Sequence, residues 1–193
     1  TIEIPKTVET IGFGAFSGCS SYTNLILNEN VLSIGDYAFY GNTALNSIAI
    51  RCFTPPTLTS TQTFANTNNC PIYIPLGSLE TYRSHPYWGM YGSRYVEYMV
   101  FEDKMVEEKA LEVYDINRDD MLFNNEISGV TSIGTNFNMP GMTSFDEFQY
   151  FTGVTELSTS AFDGNLTLTS VKLPSTITYI GFRAFENCVS LLN

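Results

Sequence analysis

The sequence predicts a mainly β solenoid with short helices, and three observations carry that reading. Ala15-Phe16 and Ala38-Phe39 stand 23 residues apart, and Ala161-Phe162 and Ala184-Phe185 repeat the same spacing. The neighbours repeat with them: Ile4-Pro5, Val8, Ile11-Gly12, Ala15-Phe16 and Cys19 align with Leu27, Val31, Ile34-Gly35, Ala38-Phe39 and Asn42. A unit this short cannot bury its own apolar residues, so successive units must stack into a continuous core. A fixed period of roughly 20–29 residues with apolar residues at set places is that of a leucine-rich-repeat-type solenoid. The repeats of about 23 residues fall into two arrays, joined through an aromatic cap and a helix–loop segment. Phe16, Phe39, Phe162 and Phe185 are expected to form buried ladders inside the coil.

Taken in order, residues 1–51 hold two repeats and, with Ile48 and Ile50, the strand of a third. Residues 52–98 keep a fragment of the pattern, with Thr63-Phe64 in place of Ala-Phe, and then leave it. Ile72-Tyr73-Ile74-Pro75 reads as a strand, and Ser78 as the N-cap of a short helix over 79–83. Tyr82, Tyr87, Trp88, Tyr91, Tyr95 and Tyr98 follow. Large amphipathic rings over a short helix would cover the open face of the stack; a carbohydrate-binding ring platform is the alternative. The first domain is therefore residues 1–98, with its cap at 52–98.

The second domain, 99–193, opens with a helix and an EF-hand-like loop (101–130) that lead into the second array (131–193). Residues 101–114 are amphipathic, with Phe101, Met105 or Val106, Leu111 and Val113 facing inward. Ser144-Phe145-Asp146-Glu147 fits a capping box before a turn over 148–151.

Composition removes several function classes. Hydrophobic content of 44% and aromatic content of 14% exclude a disordered chain. A net charge of −11 argues against nucleic acid or anionic lipid as partners, since both select Lys and Arg. The charge is uneven: residues 1–98 carry six acids and four bases, residues 99–193 fourteen and five. No apolar run reaches the roughly 18 residues of a membrane helix, and no secretory signal pattern opens the chain. Thr1 begins on a repeat and Asn193 falls within another, so a piece of a longer protein is expected. Cys19 and Cys188 occupy the repeat position held elsewhere by Asn42 and Asn165, which reads as a small buried side chain. Cys52 and Cys70 flank a Pro55-Pro56 loop and have the option of a disulfide in an exported protein.

The most specific chemical motif runs from Asp115 to Glu126. Hard divalent cations take six to eight oxygens, and an EF-hand loop supplies them at positions 1, 3, 5, 7 and 12. Those positions are Asp115, Asn117, Asp119, the Met121 carbonyl and Glu126, with apolar Leu122 at position 8. Calcium is thus the one cofactor the sequence suggests. Asp120 at position 6, where glycine is usual, and Phe123 at position 9, which offers no oxygen, depart from the pattern. The alternative is an acidic turn that caps a helix. Catalytic arrangements are absent: His85 stands alone beside Pro86, adjacent carboxylates such as Glu107 and Glu108 point in different directions on a helix, and no phosphate-binding glycine motif occurs. No enzyme is expected. Asn165-Leu166-Thr167 matches a glycosylation acceptor by spacing alone.

The repeat resembles the BspA-like leucine-rich repeat family. Leu173-Pro174, Ile177, Ile180-Gly181, Ala184-Phe185, Cys188 and Leu191 follow its pattern closely, while Tyr22 replaces the usual Leu and Asn28 the usual Pro. The stretch from Cys52 through Ile72–Pro75 to Tyr82 and Trp88 is similar to the closing module of such arrays. The block from Asp115 to Phe151 resembles the acidic lead-in before other arrays. The resemblance implies a secreted or surface-displayed, extracellular protein that adheres to a host or bacterial surface protein or a glycan. It gives no residue a binding role, because in repeat proteins binding sits in variable surface positions. The apolar residues at the two ends of the chain suggest a second reading, a structural spacer that self-associates end to end through open repeats.

Overall fold

A computed structural model describes residues 1–192; Asn193, expected inside the last repeat, lies outside them. The chain forms two compact units, Thr1–Tyr98 and a second from Met99 onward.

In the first unit the 23-residue period becomes strand register. Strands β1 (Ile2–Ile4), β3 (Asn24–Leu27), β5 (Ser47–Ile50), β7 (Ile72–Pro75) and β8 (Tyr95–Tyr98) form one sheet in that order, every neighbouring pair parallel. Ile2 faces Leu25, Leu25 faces Ile48, Ile48 faces Ile72 and Ile72 faces Tyr95. One extra residue is absorbed between β5 and β7. Strands β2 (Thr10–Ile11), β4 (Ser33–Ile34) and β6 (Thr57–Leu58) form a second parallel sheet. A third line of hydrogen bonds joins the Ala-Phe turns: Gly14 N–H to Asp36 O (2.9 Å), Phe16 to Ala38 (2.7 Å), Gly18 to Tyr40 (2.8 Å) and Phe39 to Thr63 (3.0 Å).

The turns form because residues at set places accept left-handed backbone. Gly14 and Tyr37 precede Ala-Phe at φ near +60°, and Gly18 and Gly41 follow it at φ near +70°. Each turn drops its phenylalanine inward. Phe16, Phe39 and Phe64 stack face to face, with centroids 5.3 and 5.2 Å apart and planes within 3° of parallel. Phe64 thus fills the ladder although Thr63 replaces the alanine. Phe39 is fully buried and Phe16, in the first coil, half-buried.

The aromatic stretch beyond β7 continues this core. Tyr82 and Trp88 are fully buried, and Phe64 packs against Trp88 and Tyr91. Their polar ends are satisfied: Tyr82 Oη donates to Cys52 O (2.7 Å), Trp88 Nε1 to Pro56 O (2.6 Å) and Tyr91 Oη to Thr61 O (2.9 Å). Rings buried in this way offer no platform for a sugar, so that alternative falls. Helix α1 (Leu79–Ser84) is not capped by the Ser78 side chain, which donates to Pro75 O instead. Glu97 accepts from the Gly77 and Leu79 N–H groups in its place.

In the second unit, helix α2 (Lys104–Tyr114) buries Val106 and Ala110, and Tyr114 stacks on Phe137. The stripe is therefore 106/110/114. Of the expected inward set, Val106 is buried on the helix, Phe101 is buried but precedes it and Leu111 is half-buried, while Met105 and Val113 are exposed and are corrected. Asp103 caps α2, accepting from Met105 and Val106 N–H, and its second oxygen accepts from the N–H and Oγ1 of Thr143. Helix α3 (Asn124–Ile127) follows. Strand β9 (Ser144–Phe145) pairs in parallel with β11 (Ser170–Val171), and β10 (Glu156–Leu157) with β12 (Tyr179–Ile180). The expected capping box is not formed: Ser144 lies in β9, and Glu147 Oε1 accepts from Glu102 N–H. Ile133, Phe137, Phe145, Phe148, Phe151 and Phe162 fill the core, and Phe185 stacks half-buried on Phe162 at 5.2 Å.

Asn42 and Asn165 are buried in their repeat position, whereas Cys19 is exposed and Cys188 half-buried. The expectation of four equivalent buried sites is corrected: the cysteines stand on the first coil of one unit and the last coil of the other, where only one side is covered by a neighbour. All four cysteines are free thiols.

Coil spacing is enforced at the Ile-Gly step. A Cβ on Gly35 would stand 2.7 Å from Phe13 N, and one on Gly181 2.6 Å from Leu157 O, while one on Gly12 would meet nothing within 4 Å. Gly35→Ala and Gly181→Ala are each expected to cost about 1–3 kcal/mol through overpacking. Gly12→Ala should be neutral. Urea denaturation of the three variants checks this, and equal midpoints would contradict the close approach.

Candidate functional site

Strand alternation sends every second residue away from the core, and a half-solvated sheet ordinarily places polar residues there. In the five-stranded sheet the outward row is Glu3, Ile26, Ala49, Tyr73 and Val96, aligned across all five strands. From Ile26 onward this row is apolar, with Ala49 buried between half-buried Ile26 and Tyr73. Val96 is 39% exposed, and Tyr73 and Tyr98 meet edge to face at 6.3 Å. Asn24 and Ser47 border the row and hydrogen-bond to each other (2.9 Å). Sequence reading missed these positions, although apolar residues at both alternating phases of NLIL, SIAI and IYIP were the available signal.

Beside the sheet, Glu29, Leu32, Arg51, Phe53 and Pro55-Pro56 line a cavity of about 540 Å³. Glu29 pairs with Lys6 at 2.7 Å. Burial alone pushes its carboxyl up, but the hydrogen bond and charge of Lys6, with the charge of Arg51, hold it below the usual glutamate range. Phe53 is half exposed at the rim.

The loop after α2 folds on its own backbone. Asp115 accepts from the N–H groups of Arg118, Asp119 and Asp120; Asn117 Oδ1 accepts from Asp119 and Asp119 Oδ1 from Met121. Glu126 spans the loop, accepting from Ile116 and Phe123 N–H. Asp120 takes the left-handed backbone (φ +61°) that position 6 demands, and Arg118 does likewise (+60°). All the suggested donors are oxygens, which suits a hard cation. Among the described residues, however, no three His, Cys, Asp or Glu side chains converge to hold a metal ion.

His85 is engaged structurally: its Nδ1 accepts from Tyr87 and Trp88 N–H, at the start of the 3-10 turn Trp88–Arg94. Cys52 donates to Asn28 O (3.2 Å), and Arg94 donates to Cys70 Sγ (3.5 Å). Burial pushes the Cys52 thiol up to about 11 and also raises Cys70, so neither is an activated nucleophile. Asn165 is buried, with its amide donating to Met139 O and its Oδ1 accepting from Thr167 and Leu168 N–H, so it is no accessible acceptor for a glycan.

One carboxylate of the second unit is costly. Glu147 is buried, and its Oε2 has no hydrogen-bond partner. Burial, with the charges of Asp146 and Glu102, pushes it above the usual glutamate range despite the Glu102 N–H bond. Asp103 and Asp146 move the other way. Burial opposes their ionisation too, but hydrogen bonds from Thr143, Met105 and Val106 hold Asp103 low, and Lys172 with Ser170 holds Asp146 low.

A family model described as "BspA type Leucine rich repeat region" matches in six copies over residues 1–103 and 122–193. The unmatched residues 104–121 are α2 and most of the acidic loop. No curated protein matches the chain. Among solved structures, the crystal structure of a leucine rich cell surface protein from Faecalibacterium prausnitzii A2-165 shares 19% identity over 99% of this chain, with a TM-score of 0.23. The chain spans 46% of the length of that structure. Among the described residues, no helix is long and apolar enough to cross a membrane.

Glu147 sets a pH signature. Because its folded pKa is raised, the folded state binds a proton more tightly, and stability rises as pH falls through that pKa toward the ordinary value of 4.5. The depressed Asp103 and Asp146 contribute stability above 3.8 that is lost as pH falls further. Thermal melts between pH 7 and 4.5 should therefore show a rise in Tm toward mild acid. Glu147→Gln should flatten that rise, and an unchanged profile in the variant would refute the assignment.

Proposed function

The chain belongs to the BspA-type leucine-rich repeat family, and from that premise we propose that it is a non-enzymatic binding module of an extracellular or cell-surface protein. It adheres to a protein or glycan of host or neighbouring cells through the outer face of the five-stranded sheet. The single observation behind this reading is the row Ile26, Tyr73 and Val96, half-buried to exposed on either side of the buried Ala49, which is apolar where a merely solvated face would be polar. Residues 52–98 close the first array over its last coil, and residues 131–193 form the second. Aromatic and aliphatic residues at the centre of a contact commonly cost more than 1 kcal/mol on truncation. Tyr73→Thr and Val96→Thr keep strand propensity. On arrays of extracellular-matrix proteins and glycans, the double variant should lose about tenfold or more in affinity for whatever the parent binds, with an unchanged Tm. Full retention would remove the sheet face from the function.

A second reading, a spacer in a surface assembly, draws on the last coil, where Tyr179, Ile180 and Phe182 are more than half exposed. Head-to-tail stacking would bury them against another copy. Light scattering should then show mass rising with concentration, and a strict monomer at every concentration ends this reading.

We also propose weak calcium binding by Asp115, Asn117, Asp119, Met121 and Glu126. The left-handed turn at Asp120 supports it. Calcium in excess over EDTA should raise the Tm of the parent and leave Glu126→Ala unmoved; an unresponsive parent disposes of the site.

A further inference from the structure

The Ala-Phe turns present a second surface on the first unit. The residue two places before Ala-Phe lies at the outer edge of each coil, and in the first coil it is Phe13, 77% exposed. Nothing in the repeat requires an apolar residue there, because the equivalent position of the next coil holds Asp36. Phe13 meets Tyr37 at 5.7 Å, and Tyr37 meets Tyr40 at 5.4 Å, with planes about 60° apart, so two exposed rings continue into a third that is half-buried. Tyr37 adopts left-handed backbone (φ +58°) in the place where the preceding coil uses Gly14. An aromatic residue is strained there, by on the order of 1 kcal/mol. Asp36 brings a carboxylate to the same edge: its O accepts from Gly14 N–H (2.9 Å) and its side chain accepts from Thr59 Oγ1.

The second unit indicates what such a ring receives. Phe182 occupies the place equivalent to Phe13 and is similarly exposed, and the Arg183 guanidinium lies over it, 4.9 Å from the ring centroid. Glu186 pairs with that guanidinium at 2.9 Å. A ring, a cation over its face and a carboxylate on the cation therefore form a complete set within one turn. In the first coil the residue equivalent to Arg183 is Gly14, so that place supplies no cation to the Phe13 ring, while the next coil places Asp36, whose carboxylate bonds Thr59, at the position of Phe13. The remaining charge is consistent. Lys6 and Arg83 are paired with Glu29 and Glu80, and Arg94 donates to Cys70 O, while the chain as a whole carries −11.

We propose that Phe13, Tyr37, Tyr40 and Asp36 form a docking point for the guanidinium or ammonium groups of a basic protein segment. The ring faces attract the cation through their quadrupoles, Asp36 compensates its charge, and the acidic chain speeds the encounter. The surface lies on a different line of the coil from the five-stranded sheet, so its test and that of the sheet face are independent.

Binding of a fluorescent oligo-arginine peptide to the full chain tests this, with an oligo-citrulline peptide of the same length as the neutral isostere. Phe13→Ala and Tyr37→Gly leave the net charge unchanged, and the second also releases the strained backbone. Each should weaken oligo-arginine binding about two- to fivefold, the range of an exposed cation–ring contact, with the Tm of Phe13→Ala unchanged. Asp36→Asn should weaken it more than Glu108→Gln, which removes the same charge from the exposed side of α2. Oligo-citrulline should not bind. The proposal is overturned if the parent does not bind oligo-arginine, or if the ring variants bind as the parent does, which would assign the attraction to the acids of the second unit. It is equally overturned if the ring variants lose glycan-array binding and keep the peptide, which would make the cluster a sugar platform.

Discussion

Successive coils hydrogen-bond to one another, and the rest of each unit follows from that spacing. Backbones joined by sheet bonds lie about 4.8 Å apart, too close at some points for any side chain. Gly35 and Gly181 stand where a Cβ would collide with the backbone of the coil before. The same spacing brings equivalent side chains into register: Phe16, Phe39 and Phe64 become a stack of nearly parallel rings, and Thr10–Ser33, Asn24–Ser47 and Asp36–Thr59 become polar ladders with partners 23 residues apart. A contact that stabilises one coil is thus copied along the unit, as expected where each repeat touches only its neighbours.

This copying leaves the surface free to vary. Inward positions answer to the core, and turn positions to the left-handed backbone, but the outward places are constrained only by solubility. When such places hold apolar or aromatic residues, the fold does not explain them. The row from Ile26 to Val96 and the cluster at Phe13, Tyr37 and Tyr40 are two such departures, on different lines of the same coil. The buried Tyr82, Trp88 and Tyr91 are the opposite case: the sequence left a sugar platform as the alternative to a covering role, yet each ring packs and each polar end finds a backbone carbonyl.

The second unit concentrates its acids in a segment the repeats do not use. Residues 104–121 fall outside the family match, and there the backbone satisfies itself through Asp115, Asn117, Asp119 and Glu126. Helix α2 attaches through its Asp103 cap to Thr143 and through Val106, Ala110 and Tyr114. Glu147, buried with an unpartnered oxygen, is the electrostatic cost of the turn that seats Phe148 and Phe151.

By itself the sequence determined the repeat type and the phenylalanine ladder, because a period in the chain becomes a neighbour in space once coils stack. Thr63-Phe64 was legible as a degenerate member for the same reason. The tertiary structure alone decided what depends on which coil covers which. Cys19 is exposed where Asn42 is buried, Ser78 lost its cap role to Glu97, and Met105 turned outward while Val106 and Ala110 faced the core. The ring cluster was also hidden in the sequence, since Phe13, Tyr37 and Tyr40 occupy different repeat positions and meet only when two coils lie side by side. Local spacing records periodicity, but exposure is a property of neighbours, and only the packed coil supplies them.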